Sequence, residues 1–115
     1  MVKKNILSGK RDFNNVYKRG KSVGDKYVVV FYKKNNLPYN RIAFLASKKV
    51  GNAIKRNRAR RLMKESVREI GNFNFSGYDV IFIARNTIIS CRCQDVRKSI
   101  ESAIKRTAMF KNNRR

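Results

Sequence analysis

The chain has 115 residues, enough for one compact domain spanning residues 1–115 and too few for two. Lys and Arg number 29 against 7 Asp and Glu, a formal charge of +22, while 42% apolar content allows a modest core in a chain that otherwise repels itself. This balance calls for a polyanionic partner, and the absence of histidine removes the usual general acid and base for RNA cleavage.

Ser8 is placed to cap a short helix that carries Phe13, Val16 and Tyr17 on one side and stops at Gly20. KYVVVFYKK (Lys26 to Lys34) reads as a strand from its β-branched and aromatic content. NNLPYN (Asn35 to Asn40) holds the chain's one proline and reads as a turn, so RIAFLAS (Arg41 to Ser47) is expected as a second strand antiparallel to the first. A long helix follows over about residues 52–70, with Asn52 as its cap and Gly71 as its stop. Ala59, Leu62, Met63, Val67 and Ile70 recur at helical spacing and form an apolar seam. At about 100° per residue, Asn57, Arg61, Lys64 and Arg68 fall on the opposite side as a basic ridge. YDVIFIAR (Tyr78 to Arg85) is a third strand, and its near-continuous apolar run predicts a central place in the sheet. A last helix is expected from about Gln94 to Phe110, with Val96, Ile100, Ala103, Ile104 and Thr107 inward, followed by a basic tail over residues 111–115. The order α-β-β-α-β-α specifies an α/β, single-domain α-β sandwich, a small sheet with helices packed on it.

Several function classes drop out. YVVVFY (Tyr27 to Tyr32) and VIFIA (Val80 to Ala84) are far shorter than a membrane span, and MVKKNILSGKRDF lacks the apolar stretch of a signal peptide, so no membrane partner and a cytoplasmic location are expected. Cys91 and Cys93 are too close in sequence for a relaxed disulfide and lack histidine co-ligands for zinc, and read as reduced thiols. The seven acids are scattered, and Glu65 and Glu69 lie beside Arg61, Lys64 and Arg68, which favours ion pairs along the helix over a metal pair. No metal ligand set, nucleophile elbow or phosphate loop is present, and no catalytic residue is assigned. Binding chemistry fits better: Arg and Lys neutralise phosphates, Asn57 can make directional hydrogen bonds, and Phe13, Tyr17, Phe31 and Tyr32 offer flat faces to unpaired bases. In a domain this small most aromatics serve the core, and strand alternation lets only one of Phe31 and Tyr32 face an open cleft.

ASKKVGNAIKRNRARRLMKE (Ala46 to Glu65) resembles the signature of the bacterial ribonuclease P protein family, whose hallmark is an RNR helix, here Arg56, Asn57 and Arg58 followed by Arg60 and Arg61. DFNNVYKRGKSV (Asp12 to Val23) resembles the family's first helix and its exit, and VIFIAR its third strand. The resemblance implies the small subunit of a ribonucleoprotein whose RNA, with magnesium bound mainly by RNA subunit and substrate, removes the 5′ leader from precursor tRNA. It also implies a left-handed βαβ crossover at the RNR helix, which periodicity does not predict. Carried onto this chain, it assigns Lys55, Arg56, Asn57, Arg58, Arg60, Arg61, Lys64 and Arg68 to the ribonuclease P RNA. A cleft for the single-stranded precursor tRNA leader would be lined by Phe13, Tyr17, Phe31 and Ser47, with Lys48 and Lys49 at its edge. Position 17 is Tyr where the family commonly has Phe, and position 31 is Phe where it commonly has Tyr, so stacking is kept but a hydroxyl contact at position 31 is lost. The alternative is a non-catalytic basic ribosomal or other structured-RNA-binding protein, which would not require aromatics beside a basic helix. A protein-only nuclease would need acids of its own.

Overall fold

The computed structural model describes residues 5–71 and 75–113, with side chains through residue 110. In chain order the elements are α1 (Lys10–Arg19), β1 (Lys21–Gly24), β2 (Val28–Lys34), β3 (Arg41–Leu45), α2 (Ala53–Ile70), β4 (Tyr78–Ala84), a 3-10 turn (Asn86–Ser90), α3 (Cys93–Lys105) and α4 (Ala108–Asn113). The strands form one sheet in the order β1-β2-β4-β3. β4 is central as expected: it pairs antiparallel with β2 and parallel with β3, and six of its seven residues are buried.

The expected antiparallel pairing of the strand at Val28 with the strand at Arg41 does not occur, because β4 lies between them. The Asn35–Asn40 turn shows why. Asn35 donates its backbone N–H to Gly77 O at 2.9 Å and its side-chain amide to Asp79 at 2.9 Å. Asn40 donates to Phe75 O at 3.0 Å and accepts from Tyr78 N at 3.0 Å. Both ends of the turn are thus tied to the segment entering β4, and the turn straddles that strand. Buried Asp79, 3% exposed, locks the same end by taking a two-pronged bond from the Arg41 guanidinium at 2.7 and 2.8 Å.

Strand alternation sorts the apolar side chains onto two faces. Val28, Val30, Tyr32, Ile42, Val80, Phe82 and Ala84 face the layer made by α2 and α3, together with Met63, Val96 and Ile100. Ala43 and Ile81 face α1 with Leu7 and Val16, and half-buried Phe13, Phe31, Leu45 and Ile83 pack around them. The result is the expected sandwich, with α1 on one face and α2 and α3 on the other.

Three local expectations are corrected. Gly9, with φ 94° and no side-chain cap, starts α1 in place of Ser8; Leu7 is anchored first, its N–H donating to Ile42 O at 3.0 Å, and the turn that follows needs the left-handed backbone glycine permits. The short strand β1 was not anticipated; KSVG is too brief and polar to announce itself, and it exists by pairing with β2. The last helix is broken at buried Thr107, whose hydroxyl donates to Ile104 O at 2.6 Å and accepts from Phe110 N at 3.4 Å. Residues 111–113 of the expected tail continue α4, and residues 114–115 lie outside the described residues.

Candidate nucleic-acid interface

Helix α2 begins as its sequence requires. The Asn52 side chain accepts from Lys55 N at 3.0 Å, and Gly71, with φ 78°, closes the other end by donating to Val67 O at 3.2 Å. Ala59, Met63 and Val67 are buried, with Leu62 and Ile70 half-buried, so the seam is seated and the ridge faces outward. Ser66 completes the buried side, its hydroxyl donating to Leu62 O at 2.7 Å.

The structure divides the eight residues assigned to the RNA subunit into two groups. Arg56 turns back to donate to Gly51 O at 2.9 Å, and Arg58 reaches away from β3 to donate to Ile89 O at 3.3 Å and Cys91 O at 3.4 Å. Those two arginines tie the helix to its surroundings, and Lys55 is exposed beside them. Asn57, Arg60, Arg61, Lys64 and Arg68 instead wall one groove of about 1200 Å³, whose other lining includes β3, Ile6, Leu7 and Phe13. Within that wall Arg60 donates to Asn57 Oδ1, and Arg68 is bonded to Glu65. Ile54, Phe44 and Ile6 also line the groove and were missed in the sequence. Helical spacing could have found Ile54, which lies on the same stripe as Arg61 and Arg68.

Phe13, Tyr17 and Phe31 come together on the sheet face covered by α1. The Tyr17 and Phe31 rings meet edge to face at 5.0 Å, Phe13 packs in the same cluster, and Tyr17 is 39% exposed. Tyr32 takes the opposite face, buried, with its hydroxyl accepting from Ala108 N at 3.0 Å, so Phe31 is the strand aromatic on the α1 side. Burial pushes the Tyr17 phenol up, which keeps it a neutral hydroxyl near pH 7. Ser47, Lys48 and Lys49 form an exposed turn just beyond Leu45 of that cluster, held by Val50 N donating to Ser47 O at 3.0 Å and Lys49 N donating to Ser47 Oγ at 3.3 Å. Phe13 belongs to both surfaces, since it also lines the groove.

Each of the seven acids has a basic partner or a helix cap. Asp12 and Asp79 bond Arg41 at 3.4 and 2.7 Å, Asp25 bonds Arg106 at 2.5 Å, and Asp95 accepts from Arg92 N at 3.0 Å to cap α3. Glu65 pairs along the helix with Arg68 as expected, whereas Glu69 reaches across to α3 to pair with Arg97 at 3.6 Å, and Glu101 pairs with the same arginine one turn along α3 at 3.6 Å. None of the seven lines the groove, which therefore carries four cationic side chains and no carboxylate. Among the described residues no group of three His, Cys, Asp or Glu converges to hold a metal ion. Both cysteines are free thiols, and burial, foremost, pushes the Cys91 thiol up, away from reactivity. No helix of the described residues is long and apolar enough to cross a membrane.

A family model described as Ribonuclease P matches residues 1–108 of the chain. The chain is 47% identical over 97 residues to the ribonuclease P protein component of Clostridioides difficile (strain 630), spanning 84% of this chain and 85% of that one. It is 38% identical over 102 residues to the same component from Thermoanaerobacter sp. (strain X514), spanning 89% and 88%. Among solved structures it is similar to the RNase P protein of Staphylococcus aureus, with TM-score 0.78, 28% identity and 92% and 97% of the two chains covered. It is likewise similar to the RNase P protein from Thermotoga maritima, with TM-score 0.79, 29% identity and 89% and 96% covered.

Proposed function

The chain belongs to the ribonuclease P protein family, the RNA-binding subunit of the ribonucleoprotein that processes tRNA 5′ ends, and on that premise we propose how its surfaces divide the work. The ridge of α2, through Asn57, Arg60, Arg61, Lys64 and Arg68, binds the RNA subunit. The face of α1 and the sheet, through Phe13, Tyr17 and Phe31, takes the single-stranded 5′ leader by stacking, and Ser47, Lys48 and Lys49 hold its phosphates. Lys55, Arg56 and Arg58 add positive charge beside the ridge while serving the start of the helix. The observation that carries this reading is a carboxylate-free basic groove that adjoins an aromatic cluster and meets it at Phe13, two neighbouring surfaces for two RNA segments.

The family is magnesium-dependent, and the acids of this chain do not fit that ion: each is committed to an arginine or a helix cap, and none converge. Magnesium therefore belongs with the phosphates of the RNA subunit and substrate, and the protein's residues bind and position. Two effects follow from the charge. Cationic side chains between two polyanions reduce their mutual repulsion, so less magnesium is needed for productive docking. A leader contact absent from mature tRNA raises affinity for precursor over product. The test is cleavage of precursor tRNA by the protein with and without the RNA subunit at low magnesium. A single cut leaving a 5′-phosphate on the tRNA is expected only with both components, and sustained cleavage by nuclease-free protein alone would overturn the reading.

A further inference from the structure

Ile54, on the first turn of α2, is 77% exposed, the most exposed large apolar side chain among the described residues. An isoleucine in that position contributes little burial to the folded monomer, since most of its apolar surface stays in water. Its surroundings are specific. It shares the groove with Phe44 of β3, and Arg60, Arg61 and Lys64 rim the space with no carboxylate among them. β3 is an edge strand whose outer side, among the described residues, is met only at Ile42, where Leu7 N–H donates to the Ile42 carbonyl. Outward backbone groups recur every second residue, so Phe44 turns its N–H and C=O toward the same side, and no strand of the described residues covers them.

The occupant must therefore combine an apolar face, hydrogen-bonding edges and adjacent negative charge. A paired duplex offers phosphates and sugars but buries its base faces in the stack, leaving Ile54 in water. An unpaired nucleotide swung out of its stack has all three features. We propose that the groove receives one extruded nucleotide of the RNA subunit, its base against Ile54 and Phe44 and its flanking phosphates on Arg61 and Lys64. This deepens the assignment of the ridge to the RNA subunit and rests on it.

The probes are a short, fully paired RNA duplex and the same duplex carrying one bulged adenosine. Wild-type protein is expected to bind the bulged duplex about three- to tenfold more tightly, the gain from partly burying one isoleucine. Ile54→Ala should lose that preference while binding the paired duplex as before, with an unchanged melting temperature because the side chain is exposed. Equal wild-type affinity for the two duplexes, or a preference that survives in Ile54→Ala, overturns the proposal. Arg61→Ala reports on the ridge itself: weaker binding to both duplexes with a shallower salt dependence upholds the ridge, and no change on either removes the ridge assignment rather than the pocket alone. In the assembled holoenzyme, Ile54→Ala should weaken binding of the RNA subunit and leave the preference for leader-bearing over leaderless tRNA intact. A lost leader preference would give the groove to the substrate, and displacement of the bulged duplex by an acidic, leucine-bearing peptide at lower concentration would give it to a protein; either overturns the proposal.

Discussion

Arg58 and Arg61 are both arginines of one helix face in the sequence, yet their surroundings predict opposite phenotypes. Arg61 stands exposed on the groove wall, so Arg61→Ala should lower the salt slope of RNA-subunit binding by about one unit and leave melting within roughly 0.5 kcal/mol of wild type. Arg58 donates to two carbonyls of the segment before α3, and Arg58→Ala should cost about 1 kcal/mol of stability in addition to any loss of binding. Salt-dependent binding and thermal melting, measured on both variants, check the pair. Phe13 tests the other surface. It is half-buried in the α1 cluster, so Phe13→Ala should reduce the preference for precursor over mature tRNA by about 1–3 kcal/mol if a base stacks on it. A folded Phe13→Ala protein that keeps the full preference would take Phe13 out of the leader cleft and make Phe31 the next residue to test. At this scale the ridge was legible because helical spacing is a property of the local chain. The choice between Phe31 and Tyr32 was not. Alternation says that they part, but which face α1 covers is decided by contacts from another element, among them the Val16 side chain buried against Ile81.

The elements are positioned by a few close contacts whose removal should be visible in melting. Asn52→Ala removes the α2 cap and should cost about 1 kcal/mol. Gly20→Ala is a more severe change: a Cβ there would lie 2.5 Å from both Tyr32 O and Val16 O, so α1 would have to lift from β2. Thermal melting should show a greater loss for Gly20→Ala than for Asn52→Ala. Asp25 joins the β1–β2 turn to α3 and Arg106. Burial pushes its carboxyl up, but bonds from Lys26 N–H, Ser99 and Ser102 and the Arg106 charge outweigh it and hold the group below the ordinary carboxylate value. A depressed folded value stabilises the protein above the unfolded value of about 3.9 and loses that contribution as pH falls through the folded one. Wild type should therefore lose stability below about pH 4 more steeply than Asp25→Asn, as pH-dependent melting would show. The element order was largely readable from periodicity and turn residues; strand adjacency was not. Yet the apolar run of Tyr78–Ala84 already demanded a central strand, and a strand central to a sheet this small has to separate some pair of neighbours. The Asn35 and Asn40 bonds that part β2 from β3 are long-range, and no local pattern encodes them.

Over the whole molecule the dominant quantity is the charge of +22, and folding concentrates part of it. The native state gathers Arg60, Arg61, Lys64 and Arg68 around one carboxylate-free groove, an arrangement the unfolded chain lacks. Anything that binds this arrangement stabilises the fold by mass action: an anion at ten times its dissociation constant adds about 1.4 kcal/mol. For a chain of this size that raises the melting temperature by roughly 5 °C. Phosphate and sulfate also stabilise proteins without binding, through exclusion from the surface, so a rise alone does not identify a site. The two mechanisms differ in form. Exclusion grows steadily with concentration and is indifferent to a surface arginine. Stabilisation by site binding bends over to a logarithmic dependence once the site fills, and it shrinks when one of the arginines holding the anion is removed. In a phosphate titration at constant ionic strength, wild type should rise and then bend over to a logarithmic climb, and the Arg60→Ala, Arg61→Ala double variant should begin that rise at higher phosphate and gain less at every concentration. A linear rise identical in both proteins would mean that the anions act through the solvent and that the ridge binds RNA without holding isolated phosphates.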